Sequence, residues 1–325
     1  MKIYLQSGIA KDINNFINEI DTFHIRELEG ERLSKYVYPG DEINYTLDGK
    51  LCRLYDTLRD MIFEDTGKYY QELSLLPIWV QEAGQNSDCG ISVDTFNEWV
   101  GKSGIPNLYK HLYLVDCQFL VGTIQNLLCA MEDAFIRYYK IISLPDGEDQ
   151  YIGLVESNGV IFMLSQSSTS ASSVIETYFT KAYSILDIVC KICYEIQFKQ
   201  EDFSSYKKMK SADVLWGNRK KLTINGMSDT LFEKCEFIST IEALRNELVH
   251  NGTWELNPKK FIRFENGQAQ ERFMLFPDMS QGHLSTAKNR KHFFASGIKV
   301  NDILPKIHAE FKNRLLKTIE IMNKI

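Results

Sequence analysis

Three polar side chains, Arg245, Asn246 and His250, stand at the end of a predicted helix and could together act on a phosphate group. The arginine guanidinium is a permanently charged, planar fork of donors that fits an anion. The imidazole of His250 titrates near neutral pH, so it can accept a proton and return it. Asn246 could orient the imidazole or hold a phosphate oxygen. The three residue types therefore predict anion binding combined with proton transfer.

The helix that carries these residues is predicted to span 228–251, with Ser228 as its N-cap and Gly252 as its C-terminal stop. Its apolar face contains six residues at helical spacing: Leu231, Cys235, Ile238, Ile241, Leu244 and Leu248. Arg245 projects within this face. A buried cation needs an anion or strong acceptors, because leaving it unpaired costs several kcal/mol or more.

The spacing of Arg245 and His250 predicts a site shared between two chains. On one helix these side chains lie about 140° apart around the axis and about 7.5 Å apart along it. One helix therefore cannot easily direct both at a single atom, whereas two copies packed about a two-fold axis could. Asn246 and His250, four residues apart, are expected to be able to hydrogen-bond.

Each of these residues also has a purely structural explanation. Arg245 could be a buried arginine tied to a glutamate or to carbonyl groups at a helix end. His250 could be a cation that simply caps the helix C-terminus. The other five histidines, His24, His111, His283, His292 and His308, show no metal-ligand spacing and are predicted to be incidental.

The run of Arg245 and Asn246, three further residues and His250 resembles the arginine–histidine motif of the HEPN superfamily of compact α-helical domains from prokaryotic toxin and phage-defence systems. The resemblance implies a mainly α, HEPN-like helical bundle and a homodimer. It also implies metal-independent cleavage of RNA across the dimer, without a cofactor, with Arg245, Asn246 and His250 as the site residues. The implied products are a 2′,3′-cyclic phosphate and a 5′-hydroxyl.

A second hypothesis is a non-catalytic HEPN-like scaffold for RNA binding or protein interaction. It would dimerise, bind RNA or a nucleotide, or inhibit and recruit a partner enzyme through residues 1–115. A metal-dependent nuclease is disfavoured, because the sequence offers no carboxylate cluster or other metal-ligand set.

The charge distribution favours an anionic partner for the C-terminal part of the chain. The net charge is −6 overall, but residues 200–325 carry 21 basic and 15 acidic side chains, and the rest of the chain is acidic. An RNA is expected to be attracted to this part, although solvated surface charges would give the same pattern. The candidate RNA-binding residues are Lys207, Lys208, Lys210, Arg219, Lys220, Lys221, Lys288, Arg290 and Lys291.

The cysteines and the hydropathy pattern predict a cytoplasmic protein. Seven cysteines are scattered through apolar runs, which indicates reduced thiols rather than a disulfide framework. Cys190 and Cys193 form a C-x-x-C string, which we interpret as two packed helical thiols rather than a zinc or redox site. The sequence shows no secretory hydrophobic region and no apolar run long enough to span a membrane.

The periodicity predicts two regions, 1–115 and 116–325. The first is an α or α+β extension of unknown role that contains an amphipathic helix at 51–62. The second contains helices at 116–142 and 171–197, the helix at 228–251 and a final helix that begins near Asn301 or Asp302 and tolerates Pro305 in its first turn. Two β-hairpins decorate it, at 151–164 and 261–276, each around an Asn-Gly turn. The polar run 165–173 is expected to be a loop and helix cap.

Overall fold

The computed structural model describes residues 2–12, 23–27, 36–37, 40–147, 158–215, 221–224 and 226–324. Just over half of the described residues are helical, and the sheets are small, so the protein is mainly α with minor β structure. The described residues form helices α1 (Asn44–Ile62), α2 (Thr66–Leu73), α3 (Ile78–Glu82), α4 (Val93–Lys102), α5 (Leu108–Ile142), α6 (Gln166–Gln197), α7 (Ala212–Leu215), α8 (Glu236–Asn251) and α9 (Val300–Met322).

The described strands form three antiparallel sheets. The first has the order β2-β1-β3-β4 and contains β1 (Lys2–Leu5), β2 (Ala10–Asp12), β3 (His24–Glu27) and β4 (Tyr36–Val37). The second has the order β5-β6-β7 and contains β5 (Gly159–Met163), β6 (Lys260–Glu265) and β7 (Gln268–Phe273). The third is the hairpin of β8 (Met279–Ser280) and β9 (His283–Leu284).

The chain divides into two compact units that are discontinuous in sequence. The first unit comprises Met1–Leu47, Leu127–Ile185 and Met227–Thr318, and the second comprises Asp48–Asn126, Leu186–Gly226 and Ile319–Ile325. Helices α1, α5, α6 and α9 contribute residues to both units. The predicted boundary between residues 115 and 116 lies within α5, and a functional division there stays a prediction.

The predicted helices are present, but three of them begin earlier than their apolar periodicity indicates. Helix α1 begins at Asn44 rather than at Leu51. Helix α5 begins at Leu108 rather than near 116. Helix α6 begins at Gln166, so most of the polar run 165–173 is helical and not a loop. The cause is a reciprocal cap, in which the Ser165 and Ser168 hydroxyls each accept the other residue's backbone N–H at 3.1 and 3.0 Å.

Helix α9 agrees with the prediction, including the tolerated Pro305. Proline lacks an N–H, so it leaves the carbonyl of Asn301, one turn earlier, without its usual helical partner. The buried Tyr139 hydroxyl of α5 donates to that carbonyl at 2.9 Å. The proline therefore fits because a neighbouring helix replaces the missing bond.

The second predicted hairpin is confirmed, with β6 and β7 joined at Asn266 and Gly267. Its second strand ends at Phe273 rather than Phe276. For the first predicted hairpin, residues 151–156 lie outside the described residues, and β5 pairs with β6.

Among the described residues, one helix, α5, meets the criteria of length and apolar composition for crossing a membrane. Core helices of soluble proteins meet the same criteria, and α5 buries Phe135, Tyr138 and Tyr139 completely. The ring of Phe135 stacks on His308 of α9 at 4.5 Å between centroids. His308 is thus a core residue, and burial lowers the pKa of its imidazole well below the usual value.

The β8–β9 hairpin fixes the first turns of α8 through a close backbone contact. Gly282 in its turn has φ +78°, and a Cβ there would lie 2.5 Å from the Glu236 carbonyl oxygen and 2.6 Å from the Ser239 Cβ. Only glycine satisfies both the left-handed conformation and this approach. The hairpin therefore helps to position the helix that carries Arg245 and His250.

Replacing Gly282 with alanine should lower the free energy of unfolding by about 2–4 kcal/mol, because steric overlap adds to left-handed strain. The matched control is Gly297→Ala, where φ is +67° but no atom lies within 4 Å of the new Cβ. The control should lose only about 1 kcal/mol. Urea denaturation measures both, and equal losses would contradict the close contact.

Candidate functional site

A local glycine determines the end of helix α8, whereas contacts with α9 determine its start. Its end is as predicted: Gly252 has φ +85°, and its N–H donates to the Leu248 carbonyl at 3.0 Å. Its start is eight residues later than the predicted Ser228, because the preceding segment bonds to α9. Leu231 N–H donates to the Thr318 hydroxyl at 2.9 Å, and Arg314 binds the Thr230 carbonyl and the Glu233 carboxylate.

Arg245 lies at the edge of the buried face of α8, partly exposed, and not within that face as predicted. Its guanidinium carbon lies 4.4 Å from the ring centroid of Tyr183 on α6. Its Nη1 donates to the Asn246 Oδ1 at 3.0 Å. None of the described carboxylates pairs with it. The interpretation of Arg245 as an arginine tied to a glutamate is therefore wrong for the described part of the molecule.

Asn246 and His250 share the exposed face of the same helix. Asn246, Val249 and His250 are all exposed. Asn246 projects between Arg245 and His250, at about 100° from the former and about 40° from the latter. The predicted bond between Asn246 and His250 is not formed, and the Asn246 Oδ1 accepts a hydrogen bond from Arg245. The amide group of Asn246 keeps its donors, and the imidazole of His250 is bound to no described residue.

Glu247 is a site residue that the sequence analysis missed. Its side chain is only 5% exposed. It accepts hydrogen bonds from Lys291 Nζ at 2.6 Å and from His292 Nε2 at 2.9 Å. Glu247 projects from the buried side of α8, three residues after Leu244. An acidic residue at a position that the helical spacing predicts to be buried was therefore a signal in the sequence for a buried ion pair. Its partners, about 45 residues later, could not have been inferred.

The Glu247 carboxylate is held in its charged form. Burial acts to raise its pKa, but the hydrogen bonds from Lys291 and His292 outweigh burial, and the pKa is lowered from the usual 4.5. This ion pair fixes the loop that follows β9 against α8. Lys291 was predicted to bind RNA, and His292 was predicted to have no specific role. They instead serve first as partners of a buried acid.

The remaining predicted RNA-binding residues fall into two groups. Lys288 and Arg290 are exposed in the first unit, in the loop that Glu247 anchors. Lys207, Lys208, Lys210 and Lys221 belong to the second unit, where Lys207 pairs with Asp202 at 2.7 Å. Arg219 and Lys220 lie outside the described residues.

Two cysteines and one further histidine are buried. Cys190 and Cys193 are fully buried thiols that form no disulfide, as predicted, and burial raises the pKa of Cys193 to about 12. His111 is buried beside Glu72, with its Nε2 at 3.1 Å from that carboxylate. Within the described residues, no group of three or more histidine, cysteine, aspartate and glutamate side chains could hold a metal ion.

Comparisons of this chain with protein-family models, with curated proteins and with solved structures found no match. The assignment of a function therefore rests on the side chains described above.

Replacing Glu247 with glutamine should lower the free energy of unfolding at pH 7 by about 1–2 kcal/mol, since the buried carboxylate that accepts from Lys291 and His292 loses its charge. The folded-state pKa of Glu247 is lowered, so its contribution is present above the unfolded value near 4.5 and is lost as pH falls below it. The difference between wild type and variant should therefore shrink between pH 6 and about pH 3.

Chemical denaturation across that pH range measures the effect. The matched control is Glu201→Gln, an exposed glutamate that bonds to no described residue. A difference between wild type and Glu247→Gln that stays constant with pH would contradict the charged pair.

Proposed function

We propose that this chain is a cytoplasmic, metal-independent endoribonuclease of the HEPN type. In this proposal its first unit is a HEPN-like helical bundle, and RNA is cleaved at a composite site in a homodimer. The observation that carries the proposal is the state of Arg245: it forms no ion pair with a described carboxylate, and it lies on the same helix as the exposed imidazole of His250. We propose further that residues 1–115 bind a regulatory protein.

The Arg245 guanidinium is suited to holding a phosphate. Its central carbon lies over the Tyr183 ring, and Asn246 accepts a hydrogen bond from one of its donors, Nη1. An aromatic ring attracts the cation without neutralising it. The remaining donors can bind a phosphodiester in the bidentate geometry that arginine favours. Asn246 Nδ2 supplies another donor beside them.

His250 would carry the proton transfers. Its imidazole accepts the proton of the 2′-hydroxyl, the 2′-oxygen attacks phosphorus, and the bond from phosphorus to the 5′-oxygen breaks. The imidazolium then donates a proton to the leaving 5′-oxygen. The products are a 2′,3′-cyclic phosphate and a 5′-hydroxyl, and no atom or electron is left unbalanced. Arg245 stabilises the charge that develops on the phosphate oxygens.

Surface charge supports RNA as the substrate. Lys288 and Arg290 are exposed in the same unit as α8, in the loop that Lys291 and His292 tie to Glu247. Cations that are free to contact phosphates release counterions when a polyanion binds. This loop would therefore contribute affinity without reading the base sequence.

The purified protein should cleave a mixed single-stranded RNA pool in the presence of EDTA. Arg245→Ala and His250→Ala should each lower the cleavage rate by about 10²–10³-fold, because each removes a group that acts in the transition state. The matched controls are Arg53→Ala and His283→Ala, both at exposed positions, and these should stay within about twofold of wild type.

Product analysis should find cyclic phosphate ends, and circular dichroism should show that all four variants are folded. An RNA pool that stays intact with wild type would reject the nuclease, and RNA binding without cleavage would favour the scaffold hypothesis.

Mixing the two inactive variants tests the composite site. If each site uses Arg245 of one protomer and His250 of its partner, a mixed dimer of Arg245→Ala and His250→Ala chains has one intact site. Random exchange of protomers should then restore about a quarter of the wild-type rate. Single-turnover cleavage after exchange measures this recovery. A mixture as inactive as its components would show that both residues act from the same chain.

A further inference from the structure

A cavity of about 480 Å³ in the second unit is lined without a single charged side chain. Half of its ten lining residues are carboxamides: Gln81, Gln85, Asn86, Gln118 and Asn126. Two aromatic residues, Tyr55 of α1 and Phe119 of α5, complete much of the wall. This volume lies within the usual range for small-molecule sites.

The five carboxamides have unused hydrogen-bonding capacity. None of their side-chain amides bonds to a described residue. Each amide carries two donors and one acceptor, so the wall presents both kinds of group. Water occupies such groups in the free protein, and a ligand that reproduces the hydrogen bonds can displace it. A flat ligand edge that alternates donors and acceptors fits this wall, and nucleobase edges have that pattern.

A second cavity of about 540 Å³ adjoins the first, with Gln85, Phe119 and Thr123 lining both. It adds Asp116, whose carboxylate accepts the Tyr206 hydroxyl, and Lys208. Burial raises the pKa of Asp116 above its usual value. Lys208 is exposed and bonds to no described residue, whereas Lys207 is paired with Asp202.

We propose that the two joined cavities form a nucleotide-binding site. The base occupies the uncharged cavity, stacks on Phe119 and bonds to the carboxamides. The ribose hydroxyls donate to Asp116, and the 5′-phosphate contacts Lys208. A free phosphate alone is a poor ligand, because Asp116 repels it and only one unpaired cation lines the site. This site is independent of the proposed cleavage of RNA at Arg245 and His250.

Calorimetric titration of the full chain tests the proposal with the four ribonucleosides, their 5′-monophosphates and sodium phosphate. At least one base should bind saturably in both forms, and phosphate should not. Gln118→Met and Phe119→Leu should each weaken both forms about tenfold or more. Lys208→Gln should weaken the monophosphate about three- to tenfold and leave the nucleoside unchanged.

The matched controls are Gln71→Met and Lys199→Gln, which make the same changes at exposed positions of the second unit outside both cavities. They should leave affinities within about twofold of wild type. Thermal melting of every variant checks that it is folded. A competition experiment with a tetranucleotide then distinguishes two occupants. If the tetranucleotide displaces the bound nucleoside, the occupant is a base of an RNA chain. If it does not displace the nucleoside, the occupant is a free nucleotide, and both results support a nucleobase site.

The proposal is overturned if no nucleoside or monophosphate binds at about 5 mM. It is also overturned if binding persists unchanged in the folded Gln118→Met and Phe119→Leu variants. Neither result bears on cleavage at Arg245 and His250, which is measured with separate variants.

Discussion

The contact of the Arg245 guanidinium with the Tyr183 ring is the interaction on which the candidate site depends. A carboxylate partner would have neutralised the arginine and occupied two of its donors at once. The aromatic ring instead attracts the charge through its π face and does not neutralise the arginine. The single bond to Asn246 then fixes the orientation of the fork. The arginine is held in one position and yet keeps its capacity for an anion.

Helix α8 separates its charges between two sides. The anion, Glu247, projects into the unit and is paired there with Lys291 and His292. The cation, Arg245, lies at the boundary with solvent, and His250 is exposed. Had Glu247 been on the exposed face, it would have competed with RNA for Arg245. Because it is buried, it instead ties a basic loop to the same helix, and Lys288 and Arg290 belong to that loop.

The two proposed sites use opposite physical means of recognition. Around α8 the relevant groups are charged, and they suit the phosphodiester backbone, which is the same in every nucleotide. The cavity beside Phe119 has no charged lining residue and offers carboxamides. Amides of this kind read donors and acceptors, which differ from base to base. The first kind of site gives affinity that depends on salt, and the second gives selectivity that depends on shape and hydrogen-bond pattern.

The sequence by itself determined the elements whose signals are local. The amphipathic helix α1, the hairpin at Asn266 and Gly267, the proline near the start of α9 and the glycine that ends α8 all follow from residues within a few positions of one another. The sequence also placed Arg245, Asn246 and His250 together, because one helix carries them.

The start of α8, in contrast, depends on tertiary contacts, since Thr318 and Arg314 of α9 bind the backbone of the segment before it. The tertiary structure alone decided that Arg245 contacts an aromatic ring, that Glu247 pairs with Lys291 and His292, and that five amides converge on one cavity. Hydrophobic periodicity reports only which side of a helix is buried, whereas the partner of a polar group depends on which distant segment packs against it.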